Sequence, residues 1–445
     1  MQPAAPRAPK GTAESPRPRG GFHWPTFAAD AVLVSGGALF ANVLNYVYHF
    51  KLSRALGPDA YGSLATLLAI AMVVGVIGSS VGTLAMQETA RLWATHRDGA
   101  IPAFGRLMFR ATALTGVIVG IAVALLSVPL SAYLHITDPI AWCSLVLLLV
   151  AGIIASGLRG TIQGAHRFAG YAASLAAEGI LKLGLGVALV VAGLGVGGAM
   201  ASAAIGSVGG ITIAGATLLR SRAGGDEGYL APRMRSNAWR LLVIFAASTA
   251  LLYVDTLFAK HALSGVEAGV YTAAGLVARI IPFGMGLIVP LFMPKAAAAR
   301  HVDRAALGHL LWVMFSVGVG GIAIVLAIME IWPIALVGVT FGSAYSGAAA
   351  ILRLYALDGA LLALGTLGSS YLISVGEYGV ARWLVGSLVL QGIAMAAYGA
   401  TPLALLTIAV AGNALVLPAI AALVARSLRG APQAAAPRPA EAMGS

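Results

Sequence analysis

Long apolar runs separated by short polar segments extend along almost the whole chain. A transmembrane helix needs roughly 20 mainly apolar residues, and about twelve runs meet that requirement. The predicted spans are 31–52, 62–86, 108–131, 139–158, 172–193, 197–219, 241–260, 268–293, 307–331, 348–374, 378–399 and 403–425. The longest loop between two spans is 220–240, so there is no room between the helices for a soluble catalytic domain.

The composition supports this interpretation. Of the 445 residues, 59% are hydrophobic and only 10% are charged, and the mean hydropathy is +0.89. Soluble domains carry about 25% charged residues. The sequence therefore predicts an all-α polytopic membrane protein of the cell inner (plasma) membrane. The single Cys143 excludes an internal disulfide and indicates packing rather than catalysis or metal binding.

The net charge is +12, but the charged residues are scattered between the apolar runs instead of gathered on a soluble domain. No nucleic-acid partner is therefore expected. Cytoplasmic loops of membrane proteins are enriched in Lys and Arg. Placing the N-terminus in the cytoplasm puts most of the 28 Lys and Arg residues on that side, whereas Lys51, Arg54 and Lys260 fall outside. Both termini are therefore predicted to be cytoplasmic.

The predicted spans divide into two sets of six, with Pro- and Ala-rich tails at both ends. The predicted units are a disordered cytoplasmic tail (1–28), a six-helix bundle (29–219), a cytoplasmic linker (220–240), a second six-helix bundle (241–426) and a disordered cytoplasmic tail (427–445). Tyr46-Val47 recurs as Tyr253-Val254, and Gly62 recurs as Gly269 with the same spacing. Since six spans separate these positions, we expect parallel repeats related by an axis along the membrane normal.

Motifs for nucleotide or metal chemistry are weak or missing. Residues 193–198 match GxGxxG, but they join two membrane spans instead of following a strand, so helix packing explains them better than a dinucleotide site. The chain has no GxxxxGK[ST] motif, and its histidines do not show metal-ligand spacing. We expect no cofactor, no metal and no catalytic residues.

Polar side chains concentrate in the first span. Asn42, Asn45, Tyr46, Tyr48, Lys51 and Arg54 precede a Gly57-Pro58-Asp59 turn. Lipid does not tolerate such a polar stripe, which indicates a helix that lines a cavity or packs at a helix–helix contact.

Ionisable residues also occur within other predicted spans. Since inserting a charged side chain at mid-membrane depth costs free energy, each of them is expected to have a partner or a function. Glu178 and Lys182 share a helix face, so they form either a self-neutralising ion pair or part of a functional site. Arg279 has no acidic residue within four positions, so its partner is another helix, water or an anionic substrate. Pro282 predicts a kink in the same span.

Asp255 has two interpretations: it pairs with Arg279, or it is a proton or cation site. Arg353 and Asp358 are five positions apart and point to different faces of their helix, which argues against a local pair.

Two stretches resemble a known family. Residues 40–62 (FANVLNYVYHFKLSRALGPDAYG) and 254–271 (VDTLFAKHALSGVEAGVY) are similar to the first helix and turn, and to the opening of the second half, of lipid-linked oligosaccharide flippases of the O-antigen type. These belong to the multidrug/oligosaccharidyl-lipid/polysaccharide (MOP) exporter superfamily. One departure is Gly265-Val266 before Glu267, where the family often has an acid earlier.

The resemblance implies a V-shaped, MATE-like pair of six-helix bundles around a central cavity, and export of a polyprenyl-diphosphate-linked glycan to the outer leaflet. A diphosphate needs cations, and sugars need amides and hydroxyls. The expected substrate-binding residues are Asn42, Asn45, Tyr46, Tyr48, Lys51, Arg54, Lys182, Arg279 and Arg353, and the expected coupling or ion-pair residues are Glu178, Asp255 and Asp358.

Two other functions compete. A multidrug or cation antiporter of the same superfamily requires an acidic cavity, and an integral membrane glycan polymerase or ligase requires larger outer loops. A transporter without enzymatic activity is therefore expected. Its partners would be the lipid-linked glycan, membrane lipids, and the glycan polymerase and glycosyltransferases of the same pathway.

Overall fold

The computed structural model describes residues 24–220, 238–299 and 304–429. Within these ranges the chain is all-α. The helices are α1 (Trp24–Ala94), α2 (Ile101–Leu134), α3 (Pro139–Gly164), α4 (Phe168–Leu189), α5 (Gly195–Leu219), α6 (Ala238–Ala262), α7 (Gly265–Ala278), α8 (Ile280–Ala299), α9 (Arg304–Ile331), α10 (Pro333–Thr340), α11 (Ala348–Ser374), α12 (Val380–Tyr398) and α13 (Pro402–Arg429). A π-helical turn, Val190–Leu194, joins α4 to α5.

Ten helical stretches in the described ranges are long and apolar enough to cross a membrane. Two of them, Leu33–Ala94 with 62 residues and Phe168–Leu219 with 52, exceed one crossing, because 52 helical residues extend about 78 Å against a hydrocarbon core of about 30 Å. Each contains a non-helical glycine: Gly57 at φ 75°, ψ 171° and Gly193 at φ 91°, ψ 7°. Each therefore contains two crossings, and the predicted fold class is confirmed.

Several predicted boundaries differ from the observed helices. Helix α1 begins at Trp24, inside the segment assigned to the N-terminal tail, because Pro25 is tolerated in a first helical turn. Helix α13 extends to Arg429, where Arg426 and Arg429 favour the helix C-terminus. The rest of the predicted tails and linker, 1–23, 221–237 and 430–445, lies outside the described residues. The division into two bundles stays a prediction.

The halves of the chain meet close to Gly57. A Cβ atom on Gly62 would lie 3.0 Å from the backbone nitrogen of Gly269, and one on Gly269 would lie 1.8 Å from the carbonyl oxygen of Pro58. Only glycine fits at this approach. Gly62 and Gly269 are also the equivalent positions of the sequence repeat, and equivalent positions touch only near the axis that relates the halves. This contact explains why α1 packs against both α6 and α7.

Side chains extend the same contact. Lys260 Nζ lies 3.5 Å from an Asp59 carboxylate oxygen, and the Tyr345 hydroxyl donates to the Ser53 carbonyl at 2.8 Å. The rings of Tyr61 and Phe341 lie 5.7 Å apart between centroids. We call this region the seam; its residues are Ser53, Asp59, Tyr61, Gly62, Lys260, Gly269, Phe341 and Tyr345. The seam closes the Gly57 end of the molecule.

Candidate functional site

A cavity of about 310 Å³ lies between the halves, next to the seam. Its polar lining comes from both halves: Asn42, Asn45, Tyr46, His49, Glu178, Lys182 and Ser207 from the first, and Tyr253, Thr272 and Arg279 from the second. Tyr61 of the seam lines one end, and Asn42 lies further from Gly57 along α1. The cavity thus combines a cluster of polar side chains from both halves with a largely apolar wall.

One face of α1 supplies much of this lining. Asn42, Asn45, Tyr46 and His49 follow the i, i+3, i+4, i+7 spacing of a single helix face. His49 is buried, and its Nδ1 lies 3.2 Å from the Tyr61 hydroxyl. Three members of the polar stripe, Asn42, Asn45 and Tyr46, therefore line a cavity.

Lys182 carries a positive charge into the cavity from α4. Its Nζ donates to the Asn45 side-chain oxygen at 2.7 Å and lies 4.4 Å from the centroid of the Tyr48 ring. In the part of the chain that the structure describes, no carboxylate lies within 4.0 Å of this ammonium. Its charge is therefore held by an amide and an aromatic face, not by a counter-ion.

The local ion pair between Glu178 and Lys182, one of the two alternatives left by the sequence, does not form. Glu178 instead pairs with Arg159 of α3 at 2.5 Å and accepts a hydrogen bond from Ser207 at 3.0 Å. A Cβ on Gly210 would lie 2.3 Å from Arg159 Nη2, so the absence of a side chain there lets Arg159 reach Glu178. Glu178 is thus engaged by Arg159 and Ser207, and it does not form an ion pair with Lys182 on its own helix.

Arg279 lies at the break between α7 and α8, where Pro282 lacks the N–H that would continue the helical ladder. Its Nη2 lies 3.1 Å from Asp255 Oδ1 and donates to the Thr256 hydroxyl at 2.7 Å. Its Nε donates to the Leu252 carbonyl at 2.9 Å. The ion pair, one of the two alternatives for Asp255, is present in the structure.

This pair is buried: Arg279 is 4% exposed and Asp255 is 3% exposed. The other Asp255 oxygen accepts from the hydroxyls of Tyr271, at 3.1 Å, and Tyr355. The Arg279 guanidinium also lies 4.5 Å from the centroid of the Tyr253 ring. Arg279 is therefore not a lone cation, although it lines the cavity.

Other predicted site residues lie elsewhere. Lys51 is exposed, and Arg54 donates to the Gly338 and Val339 carbonyls beside the seam. Arg353 is exposed and pairs with Glu330 at 3.1 Å. None of the three lines the cavity. Lys51 and Arg54 lie close to the Gly57 break in α1, and Arg353 lies near the start of α11, so all three charges are exposed outside the cavity.

Two further predicted residues, Tyr48 and Asp358, are buried, and their polar groups form hydrogen bonds within the protein. The Tyr48 hydroxyl donates to the Ala199 carbonyl at 2.8 Å, so only its ring serves the site, beneath Lys182. Asp358 accepts from the Asn413 amide at 2.8 Å.

Five polar residues of the cavity were not predicted from the sequence: His49, Tyr61, Ser207, Tyr253 and Thr272. Two of them carried a signal: His49 lies seven positions after Asn42 on the same helix face, and Tyr253 is the repeat equivalent of Tyr46. Ser207 and Thr272 lie in small-residue stretches that gave no periodic sign of a site.

No protein-family model matches this sequence, and no curated protein matches it significantly. Solved structures do resemble it. A multidrug resistance MATE family transporter of the MOP superfamily, in an inward-facing conformation, has a TM-score of 0.69 at 12% identity, over 90% of this chain and 99% of that one. An outward-facing conformation of such a transporter has a TM-score of 0.63 at 15% identity, over 90% and 96%.

A third structure is a MOP superfamily transporter from Pyrococcus furiosus, described as having a binding pocket of reverse polarity that suggests a different function. It has a TM-score of 0.60 at 16% identity, covering 89% of this chain and 96% of that one. The chain is thus a multi-pass membrane protein with the fold of MATE transporters. The MATE-like fold that the resemblance implies is therefore confirmed.

Proposed function

We propose that the protein is a flippase that moves a polyprenyl-diphosphate-linked oligosaccharide from the cytoplasmic to the outer leaflet. The observation that carries the proposal is the Lys182 ammonium, which lines the cavity without a carboxylate partner among the described residues. A diphosphate is an anion with several acceptor oxygens, and charge-assisted hydrogen bonds are the strongest that a side chain makes to it.

The second half supplies a second cation. Arg279 uses Nε and Nη2 for Leu252, Asp255 and Thr256, and in the described residues its Nη1 has no acceptor. Asp255 offsets the cost of a buried charge while the cavity is empty, and a bound diphosphate would compete for the guanidinium. The headgroup would then contact both halves at once.

The neutral polar lining suits the sugars. Asn42, Asn45 and Tyr46 offer amide and hydroxyl groups on one face of α1, while the polyprenyl tail would stay in lipid between the halves. Transfer to the outer leaflet then requires the seam to open.

A multidrug or cation antiporter is the second candidate, and Glu178 on the cavity favours it. However, both Glu178 oxygens are engaged, by Arg159 and Ser207. The Pyrococcus furiosus transporter is described as having a pocket of reverse polarity, which is in keeping with different ligands on this fold. Asp255 and Asp358 remain the proposed coupling residues of the transporter. A glycan polymerase or ligase is the less favoured alternative.

Loss of the protein is expected to leave the lipid-linked glycan on the inner leaflet while its synthesis in cell extracts continues. Reconstituted protein should move a prenyl-diphosphate-linked sugar between leaflets and should not move an organic cation such as ethidium. Transport of ethidium alone would make the antiporter the better account, and loss of glycan synthesis in extracts would indicate an enzyme. Lys51→Gln removes a positive charge outside the cavity and serves as the control variant in the transport assay.

The direction of transport depends on an orientation with both termini in the cytoplasm, which we also propose. In a Cys143→Ala background, Ala55→Cys places an exposed thiol beside the Gly57 break, and Thr95→Cys places one just after the end of α1, at the opposite end of its second crossing. An impermeant maleimide should label Ala55→Cys in intact cells and Thr95→Cys only after permeabilisation. The reverse pattern would invert the orientation and the direction of export.

A further inference from the structure

A second, larger cavity lies at the end of the first half opposite Gly57. It has a volume of about 690 Å³ and is formed by the start of α4, the end of α5 and the early part of α1. Its lining includes His166, Arg167 and Arg220, together with the apolar Leu33, Phe168 and Ile213. We call it the basic groove. It is separate from the central cavity and plays no part in the proposed transport cycle.

The charges of the groove are of one sign, and that of Arg167 is held in place. Arg167 Nη1 donates to the Thr217 carbonyl at 2.7 Å, which holds the side chain across from α4 to α5. Its Nε and Nη2 have no acceptor in the ranges that the structure describes. Arg220 is exposed at the end of α5. Among the described residues, no Asp or Glu lines the groove.

The remainder of the lining is apolar and accessible. Leu33 is 43% exposed and Ile213 is 36% exposed, and both lie on membrane-spanning helices. Helix α4 starts in the groove without a capping side chain, so its first N–H groups add to the positive field. The groove therefore presents cations at the membrane boundary next to an apolar surface that points into the bilayer.

We infer that the basic groove binds one anionic phospholipid, with the phosphate between Arg167 and Arg220 and an acyl chain against Leu33 and Ile213. Basic pockets between membrane helices bind anionic head groups because charge complementarity adds to acyl-chain contact. A zwitterionic lipid offers the same chain but cancels its phosphate charge. The groove should therefore discriminate by head group.

One other occupant is available in the chain itself. The segment 221–237 follows Arg220 directly and contains Asp226 and Glu227. Those carboxylates match the groove in charge, but they bring no acyl chain to the exposed apolar residues. Binding of this segment is therefore the alternative outcome of the test.

The test is native mass spectrometry of the full-length protein with added dioleoylphosphatidylglycerol or dioleoylphosphatidylcholine. The wild type should retain one phosphatidylglycerol that the Arg167→Gln, Arg220→Gln variant binds at least about tenfold more weakly. Arg106→Gln with Arg110→Gln, both exposed near the start of α2, removes the same charge outside the groove and should not change retention. Arg220→Gln alone, which breaks no side-chain hydrogen bond to another described residue, should give part of the loss.

The inference would be overturned if the Arg167→Gln, Arg220→Gln variant and the Arg106→Gln, Arg110→Gln variant retained phosphatidylglycerol equally. It would also be overturned if the wild type retained phosphatidylglycerol and phosphatidylcholine equally. A gain of phosphatidylglycerol binding in an Asp226→Asn, Glu227→Gln variant, with none in the wild type, would show the linker in the groove instead. Transport of the glycolipid is a separate readout, so this result leaves the proposed function untouched.

Discussion

Replacing Arg279 with Ala is expected to abolish transport and to lower the free energy of unfolding by about 3–5 kcal/mol, because it leaves Asp255 buried without its counter-ion. Asp255→Ala should destabilise the protein for the converse reason. The double variant should recover much of this stability, since neither charge is then left unpaired. Unfolding in detergent, measured for the four variants at matched expression, gives the coupling energy.

Transport by the wild type and these three variants, together with Arg279→Lys, separates the two roles of Arg279. If the pair is only structural, the double variant regains activity together with stability. If Arg279 also holds the diphosphate, the double variant is folded and inactive. Arg279→Lys is then partly active, because lysine keeps the positive charge but lacks the bidentate geometry of the guanidinium. Rescue of transport by the double variant would defeat the headgroup role.

A matched control comes from the pair between Arg353 and Glu330, which lies 3.1 Å apart with both side chains about 60% exposed. Exposed ion pairs contribute about 0–1 kcal/mol. Arg353→Ala should therefore leave both stability and transport nearly unchanged, although the same type of ion pair is removed.

Replacing Lys182 with Gln should weaken binding of a prenyl diphosphate about 10- to 100-fold, because hydrogen bonds to charged groups contribute about 1.5–3 kcal/mol. Farnesyl diphosphate serves as the probe, with farnesol as the control for its tail. Binding to the purified protein, measured by calorimetry, should fall for the diphosphate and stay constant for farnesol. Equal affinities of Lys182→Gln and the wild type would remove the main support for the flippase.

Asn45→Asp tests the same site without removing its cation. Asn45 already accepts from Lys182 at 2.7 Å, so an Asp there supplies an internal carboxylate in the position of the ligand. We expect this variant to bind farnesyl diphosphate as poorly as Lys182→Gln. Lys51→Gln removes an exposed Lys near the Gly57 break of the same helix and should bind like the wild type.

Much of the fold follows from apolar length alone, since spans are set by the thickness of the bilayer. The turn at Gly57 was also predictable, because Gly-Pro cannot continue a helix. The short helix α10 was not predicted, since its eight residues, Pro333–Thr340, lie between two spans and carry no span-length pattern. The start of α1 was missed because its first turns mix Pro with apolar residues.

The site was harder to predict, because partner choice inside a bundle depends on helices that are distant in sequence. Arg279 and Asp255 were identified as a possible pair, and their contact spans two helices. For Glu178 the nearest opposite charge in sequence was the wrong partner. Gly210 opens the space that admits Arg159, and no local pattern carries that information. The repeat was the better guide, because it related Tyr253 to Tyr46.

The seam has a consequence for ion leakage. A cavity that brings charge halfway through a bilayer invites water and protons to follow it. At the seam, however, a Cβ on Gly62 would lie within 3.0 Å of Gly269, and the rings of Phe341 and Tyr345 pack beside it with centroids 5.3 Å apart. A continuous file of water does not fit between groups in such contact. In this conformation the seam therefore separates the central cavity from the Gly57 end of the molecule, and the barrier to ions lies in that contact.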